Sequence, residues 1–397
     1  MIGNELKPHI GIFGRRNYGK SSLINYLTGQ PIAIVADLAG TTTDPVRKSM
    51  EIGGIGPVVW IDTAGIDDVG DVGRLRTDKS LETLPQCDQV IILFSGNRFD
   101  TEERELVERC RKGNIPYLLV YSKNDIVPAD PALIAALERE YDARVFLFTD
   151  RDASLREPLI ARIRETLPDS AYHHASLLGD VIHAGDTVLM VTPIDSSAPE
   201  GRMILPQVQV LRDILDNHAT AVVCRETELE ATLRRCAPQL VITDSQVYGM
   251  VSKIVPEEIP LTSFSVVLAR AKGLFDEYLQ GTPTIDRLRD GDRVLLMESC
   301  THNVTCEDIG RVKLPNLLRR YTGKAIECET LGGAAMPSRP WSDYALVIQC
   351  GGCVVTARQL AARLAPALEA GVPVSNYGLA IAFMTGIFQR STKIFKN

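Results

Sequence analysis

The sequence predicts an α/β protein: a phosphate-loop domain with a parallel-type sheet, followed by two smaller α/β domains. Three observations carry that prediction. Short apolar runs alternate with amphipathic stretches along the first 168 residues, the pattern of buried strands covered by helices on both faces. A G-x-x-x-x-G-K-S sequence, Gly14 to Ser21, follows the first run directly. Two further alternations come after Pro168, with no glycine-rich phosphate loop behind their strands.

Taken in order, His9–Phe13, Pro57–Ile61, Gln89–Phe94, Pro116–Tyr121 and Arg144–Phe148 read as short buried strands. Ser21–Thr28, Glu102–Arg111, Pro131–Glu140 and Ser154–Leu167 carry the helical spacing between them. Pro168-Asp169-Ser170 breaks the last helix, and an irregular connector runs to Asp186. The second alternation has strands at Thr187–Thr192, Ala219–Cys224 and Gln239–Thr243, with helices around Gln207–Asn217 and Glu226–Cys236. Phe264–Tyr278 reads as one helix, ended by Gly281-Thr282-Pro283. Arg293–Met297 and Tyr344–Ile348 are then strands, each with a cysteine just beyond it, and Ala357–Ala370 and Leu379–Phe388 are covering helices. The last twenty residues, with Arg390, Lys393 and Lys396 and no carboxylate, read as a solvated tail. Domain boundaries are expected at 1–168, 176–268 and 269–397.

The 397 residues suit two or three domains at roughly 150 residues each. With 45% hydrophobic and 23% charged residues, disorder, collagen and coiled coil are excluded as the main architecture. A formal charge of −7 argues against bulk binding of nucleic acid or an anionic membrane. The longest apolar run, Leu379 to Phe388, falls well short of the ~18 residues that span a bilayer. The start, MIGNELKPHIGIF, lacks a signal-peptide apolar region. Nine cysteines without an export signal then suggest reduced thiols, a cytoplasmic location and metal ligands among them.

In the loop Gly14–Ser21, backbone N–H groups wrap phosphate oxygens and the new helix adds its positive end. Lys20 reaches the β- and γ-phosphates and Ser21 ligates Mg²⁺. Asp62-Thr63-Ala64-Gly65 ends the strand before it, where a carboxylate holds Mg²⁺ through water and the Gly65 N–H senses the γ-phosphate. In Gly40-Thr41-Thr42-Thr43-Asp44 a threonine would close on Mg²⁺. In Ser122-Lys123-Asn124-Asp125, the Asp125 carboxylate would accept guanine N1–H and N2–H₂, a donor pair that adenine lacks.

These motifs, in this order, resemble the TrmE–Era-like branch of the translation-factor-related GTPases. GRRNYGKSSLIN is similar to that branch's phosphate loop and GTTTD to its first switch. The resemblance implies GTP and Mg²⁺ bound by Gly14, Asn17, Tyr18, Gly19, Lys20, Ser21, Ser22, Thr42, Asp62, Gly65, Lys123 and Asp125, with Ser21 and Thr42 on Mg²⁺. An asparagine at the place of Asn17 implies a K⁺ beside the phosphates. Two positions depart from the common pattern: Ser122 replaces asparagine, and Phe148-Thr149-Asp150 replaces a Ser-Ala pair. Ile66 follows Gly65, so the water-orienting glutamine of Ras-like enzymes is absent. Asp67, Asp68 and Asp71 lie in the second switch, where they can position a water, although acidic residues in such loops are more often solvated. Slow, regulatory turnover is expected.

Cys300-Thr301-His302 and Cys350-Gly351-Gly352-Cys353 lie about fifty residues apart. A C-x-x-C loop presents two thiolates to one metal, and Cys300 supplies a third. Spacing alone leaves zinc and a [4Fe–4S] cluster both open. The order of pieces resembles the [FeFe]-hydrogenase maturation GTPases over essentially the whole chain, as does the stretch DIGRVKLPNLLRR from Asp308. Cys300, Cys350 and Cys353 match that family's three cluster cysteines and His302 its first histidine, whereas Gln349 stands where a second histidine is usual. The resemblance implies a homodimer or higher homo-oligomer that holds a [4Fe–4S] cluster and receives a di-iron precursor made with radical-SAM maturases. It would deliver that precursor to apo-[FeFe]-hydrogenase. Two alternatives remain at this level: an RNA-modification or ribosome-assembly GTPase with a C-terminal zinc site, and a GTP-dependent iron–sulfur sensor. The other six cysteines, Cys87, Cys110, Cys224, Cys236, Cys306 and Cys328, read as bystanders, mostly packing.

Overall fold

The structure is a computed structural model that describes residues 6–29, 46–67, 71–171, 175–194, 203–299, 309–333, 335–353 and 355–395. The chain divides into two compact units, Met1–His174 and Ala175–Asn397.

The first unit is built on strands β1 (His9–Gly14), β2 (Val46–Ile52), β3 (Gly56–Asp62), β4 (Gln89–Phe94), β5 (Tyr117–Tyr121) and β6 (Val145–Leu147), in the order β2-β3-β1-β4-β5-β6. All neighbours pair in parallel except β2 and β3, which are antiparallel. Strand β2 escapes the sequence reading because VRKSMEI is polar and mostly exposed, as an edge strand tolerates. Helices α1 (Lys20–Thr28), α2 (Asp71–Glu82), α3 (Thr101–Lys112), α4 (Pro131–Tyr141) and α5 (Arg156–Thr166) complete the unit. Alternate residues of the central strands feed opposite cores. Ile10, Ile12, Ile91, Leu93 and Val120 pack with Leu23 and Leu27 of α1 and Leu159 and Ile163 of α5. Phe13, Val90, Ile92, Phe94 and Leu119 pack on the other side with Leu106 and Val107 of α3. Each such side chain contributes about 1.5–3 kcal/mol by burial. This two-sided covering is why the strands read as continuous apolar runs.

The second unit holds two four-stranded sheets, both parallel throughout. The first joins β7 (Thr187–Val191), β8 (Thr220–Cys224), β9 (Leu240–Thr243) and β10 (Leu261–Ser263) in the order β10-β9-β7-β8. Its helices are α6 (Leu205–Asp216), α7 (Leu229–Cys236), α8 (Tyr248–Ile254) and α9 (Phe264–Ala271). The other joins β11 (Arg293–Met297), β12 (Glu327–Leu331), β13 (Leu346–Gln349) and β14 (Val374–Asn376) in the order β12-β11-β13-β14. It carries α10 (Phe275–Gly281), α11 (Leu314–Thr322), α12 (Ala357–Glu369), α13 (Tyr377–Met384) and α14 (Phe388–Thr392).

Three expectations are corrected here. The single helix over Phe264–Tyr278 is two, because Gly273 (φ 76°) and Leu274 (φ 60°) turn left-handed between α9 and α10. The helix over Leu379–Phe388 also breaks, at Gly386 (φ 79°), into α13 and α14. The C-terminal stretch is not a solvated tail: Phe388, Ser391 and Thr392 are buried, and Arg390 donates to Ser252 O and Val255 O, both at 2.9 Å. That guanidinium satisfies carbonyls at the end of α8, which a helix C-terminus leaves without partners. Among the described residues no helix is long and apolar enough to cross a membrane.

Candidate nucleotide site and cysteine site

The phosphate loop leaves the C-terminal end of β1, at the centre of the sheet, and enters α1. Asn17 (φ 60°) and Gly19 (φ 89°) give it a left-handed course, and a side chain at Gly14 would strike the Leu93 carbonyl at 2.6 Å. Lys20 Nζ arches back to donate to Gly14 O at 2.9 Å and Arg15 O at 3.0 Å. Its charge therefore sits over the loop in which the backbone groups of Tyr18, Gly19, Ser21 and Ser22 also lie. Ser21 lies beside Asp62 at the end of β3, close enough for its hydroxyl to lower the carboxyl's pKa, so the two expected Mg²⁺ groups are neighbours. Burial raises the Asp62 pKa, while Lys20, Lys48 and the Ser21 hydroxyl pull it down.

The second switch lies against the phosphate loop. Asp67 Oδ1 accepts from the Arg16 N–H at 2.7 Å, and Ile66 N donates to Gly14 O at 3.3 Å. Gly65 is required by this approach: a Cβ there would meet Arg16 Cγ at 2.4 Å and Arg16 N at 2.9 Å. Thr42 and Asp68 lie outside the described residues, as does the side chain of Asp71, the first residue of α2.

The base-side loop follows β5. Ser122, fully buried, donates to Tyr18 O at 2.7 Å and to Phe94 O at 3.3 Å, tying this loop to the phosphate loop. Lys123 (φ 58°) turns the backbone, and Asn124 Oδ1 accepts from Ala129 N at 3.0 Å. Asp125 Oδ2 lies 3.3 Å from the Arg151 Nε, an ion pair brought by the loop after β6.

Sequence reasoning missed Arg15. It points away from the loop's hollow, is only 3% exposed, and donates from Nε to Glu103 Oε1 and from Nη2 to Glu102 Oε2, both at 2.7 Å. Glu103 also accepts from Asp100 N at 2.9 Å and caps α3. The carboxylates push the Arg15 pKa further up, the Glu103 hydrogen bond most strongly. An acidic cluster opening a helix three strands later was the only signal, and its partner was not legible.

The cysteine site lies at the C-terminal ends of β11 and β13. Cys350 follows β13 directly, and its Sγ accepts from Ser299 N at 3.1 Å and from Gln349 Nε2 at 3.3 Å. Gln349 Nε2 also donates to Ser299 Oγ at 2.9 Å. Gly352 (φ 61°) forms the tight turn to Cys353, where a Cβ would strike Leu360 Cδ1 at 2.8 Å. Cys300, His302 and Cys306 lie outside the described residues, and among the described ones no three His, Cys, Asp or Glu side chains converge as metal ligands.

The donors present fit a thiolate-bound cluster. Ser299, at the end of β11, touches Cys350 at the end of β13. The Cys350 sulfur also donates to Ser299 Oγ at 3.4 Å. Two fully buried polar atoms here, Gln349 Oε1 and the Tyr278 hydroxyl, have no partner among the described residues. Burial raises Cys110 to about 12 and also pushes up Cys224, Cys236 and Cys328. Protonated thiols are inert packing groups, as the sequence suggested. Cys87 is likewise buried in the core.

Comparison with known proteins follows the same division. A family model described as a 50S ribosome-binding GTPase matches residues 9–123. Curated relatives include the tRNA modification GTPase MnmE of Flavobacterium johnsoniae, 34% identical over 45% of this chain and 42% of that one. MnmE of Nitrosomonas europaea is 40% identical over 33% of this chain and 30% of that one. The chain thus spans less than half the length of these relatives. Among solved structures, Era in complex with MgGDPNP and nucleotides 1506–1542 of 16S ribosomal RNA matches at 19% identity and a TM-score of 0.36, over 59% of this chain and 91% of that one. The FeoB G-domain from Methanococcus jannaschii matches at 16% identity and a TM-score of 0.31, over 41% of this chain and 99% of that one. The hydrogen maturase F dimerization domain model matches residues 177–273 and the hydrogen maturase F tetramerization domain model residues 276–394. With a P-loop GTPase domain ahead of both of its characteristic domains, the chain belongs to the hydrogen maturase F family.

Proposed function

We propose that this protein is a GTP-hydrolysing scaffold for hydrogenase maturation. It holds a [4Fe–4S] cluster on Cys300, Cys350 and Cys353, and carries a di-iron precursor, made with radical-SAM maturases, to apo-[FeFe]-hydrogenase. The observation that supports this reading is the hydrogen bond from Ser299 N to Cys350 Sγ at 3.1 Å, which joins the C-terminal ends of the two inner strands β11 and β13. Three thiolates leave one iron of such a cluster open to a bridging group on the cargo. The chain's own part is to present the thiolates: the Ser299 and Gln349 amides hold Cys350, and the Gly352 turn sets Cys353. Gln349 has no ligand role in this reading. His302 is a candidate for the open iron.

In the nucleotide site, loop amides and Lys20 hold the phosphates, Ser21, Asp62 and Thr42 serve Mg²⁺, and Asn17 serves K⁺. Asp125 selects guanine. With Ile66 in the glutamine's place, hydrolysis is slow, and nucleotide state sets the second switch rather than driving cluster chemistry. The segments at 176–268 and 269–397 serve oligomerisation and cluster binding, and the dimerization and tetramerization matches support a homo-oligomer.

Anaerobic purification followed by iron, sulfide and zinc analysis and EPR tests the reading. About four irons and four sulfides per chain are expected after reconstitution. Zinc without iron or sulfide would refute it and return the zinc-module GTPase to first place.

A further inference from the structure

Residues 63–67, which lead from β3 into the second switch, are held from three sides. Thr63 Oγ1 donates to Ile12 O of β1 at 2.6 Å. From α2, Ser80 Oγ accepts from Ala64 N at 3.2 Å, and Thr77 Oγ1 donates to Gly65 O at 3.3 Å. The phosphate loop takes the rest: Gly14 O accepts from Ile66 N at 3.3 Å, and the Arg16 N–H donates to Asp67 Oδ1 at 2.7 Å. Only the last of these contacts brings a charge, and its length is that of a charge-assisted hydrogen bond.

The place of that charge matters. The loop between Gly14 and Lys20 holds phosphate through its backbone N–H groups. Arg16 supplies one of them, and an N–H that donates to a carboxylate is not free to serve a phosphate oxygen. The carboxylate also stands beside Gly65, where a Cβ would lie 3.0 Å from Asp67 Oδ1. That glycine ends the Asp62-Thr63-Ala64-Gly65 motif and is the one expected to sense the γ-phosphate. Asp67 thus sets a negative charge where the phosphate loop and the γ-sensing glycine come together. GTP brings one phosphate more than GDP to this end of the site, so like-charge repulsion falls on GTP more than on GDP. The Asp67 side chain is partly exposed, which leaves it a way out into solvent.

We propose that Asp67 is a specificity-determining residue of the nucleotide site: its carboxylate holds the Arg16 N–H in competition with the γ-phosphate, so the site favours GDP until that side chain swings away. The second switch then responds to the γ-phosphate through release of an internal anion as well as through Gly65. The proposal rests on the nucleotide-site reading above.

The test compares full-length wild type, Asp67→Asn and Asp67→Glu. Each is titrated with GDP and with a non-hydrolysable GTP analogue in the presence of Mg²⁺, at low and high salt, and single-turnover GTP hydrolysis is followed at saturation. Asp67→Asn keeps an acceptor of the same shape for the Arg16 N–H and removes the charge. It should raise the ratio of analogue affinity to GDP affinity about fivefold, the worth of one exposed charge pair at close range. The gain should shrink at high salt, as screening predicts. Asp67→Glu keeps the charge and should stay within about twofold of the wild-type ratio. An unchanged or lower ratio in Asp67→Asn overturns the proposal, and a slower single-turnover step beside it would assign Asp67 to the attacking water instead. Equal rises in both variants also overturn it, because shape rather than charge would then be the cause. Wild-type protein that binds neither nucleotide refutes the nucleotide-site reading itself, and the proposal with it.

Discussion

At the scale of single residues, Ser122 and Arg151 define how the base-side loop is held. The asparagine usual at this position is replaced by Ser122, whose hydroxyl still bridges to the phosphate loop at Tyr18 O. That short side chain is enough to link the two loops here. Arg151 bears directly on affinity, because its Nε pairs with the Asp125 carboxylate that would accept guanine. Guanine donors and this guanidinium compete for one acceptor. Arg151 is 76% exposed, so the pair is worth about 0.2–1 kcal/mol in solution. Arg151→Ala should accordingly tighten GTP and GDP binding alike, by up to about fivefold. Fluorescent-nucleotide titrations at low and high salt check this: the gain should shrink as salt screens the pair. Weaker binding in the variant would instead make Arg151 a contributor to the base site.

At the scale of elements, strands buried on both faces were legible and edge elements were not. The central strands β1, β3, β4 and β5 stand within a residue of the apolar runs that announced them, because parallel strands under helices need no polar face. Strands β2 and β12 are exposed or half-exposed edges, and their mixed composition gives neither a run nor a clean alternation. Strands β10 and β14 have three residues each, too few for any period. The break between α9 and α10 was hidden because Leu274, an ordinary apolar residue, takes a left-handed conformation beside Gly273. Long-range pairing was equally invisible, and the union of the phosphate loop with α3 is its main instance. Arg15 and Glu103 are 3% and 0% exposed, whereas Glu102 and Asp100 are 42% and 47% exposed and count for little. Glu103→Gln leaves a buried guanidinium short of its charge partner and should cost about 3 kcal/mol, near the lower end for a broken buried pair. Replacing both partners by apolar residues of similar volume, Arg15→Met with Glu103→Leu, should recover most of that loss. Urea unfolding followed through nucleotide release reads both changes. A double variant as unstable as the single one would show that the pair is not the source.

At the scale of the whole molecule, the division of labour was legible from motif order more than from composition. Charge and hydropathy gave only an ordinary globular composition long enough for several domains. The ordered motifs gave the GTPase domain, and the spacing of Cys300, Cys350 and Cys353 suggested the second, proposed site while leaving its metal open. The structure adds that Cys350 Sγ accepts from the Ser299 and Gln349 amides and that burial raises the pKa of Cys110, Cys224, Cys236 and Cys328, neither of which spacing carries. The two sites belong to different compact units, and each draws its hydrogen bonds from its own sheet. Their chemistry should therefore separate on mutation. Cys350→Ser removes a sulfur held by Ser299 and Gln349 and should abolish the proposed cluster while leaving GTP hydrolysis within about twofold of wild type. Lys20→Ala removes the charge over the phosphate loop and should lower hydrolysis by about a hundredfold or more, with iron content unchanged. Iron analysis and phosphate release on the same preparations measure both. If either variant loses both functions while its unfolding midpoint holds, the sites form one coupled machine, and the nucleotide would then act on the cluster directly rather than through the arrangement of domains.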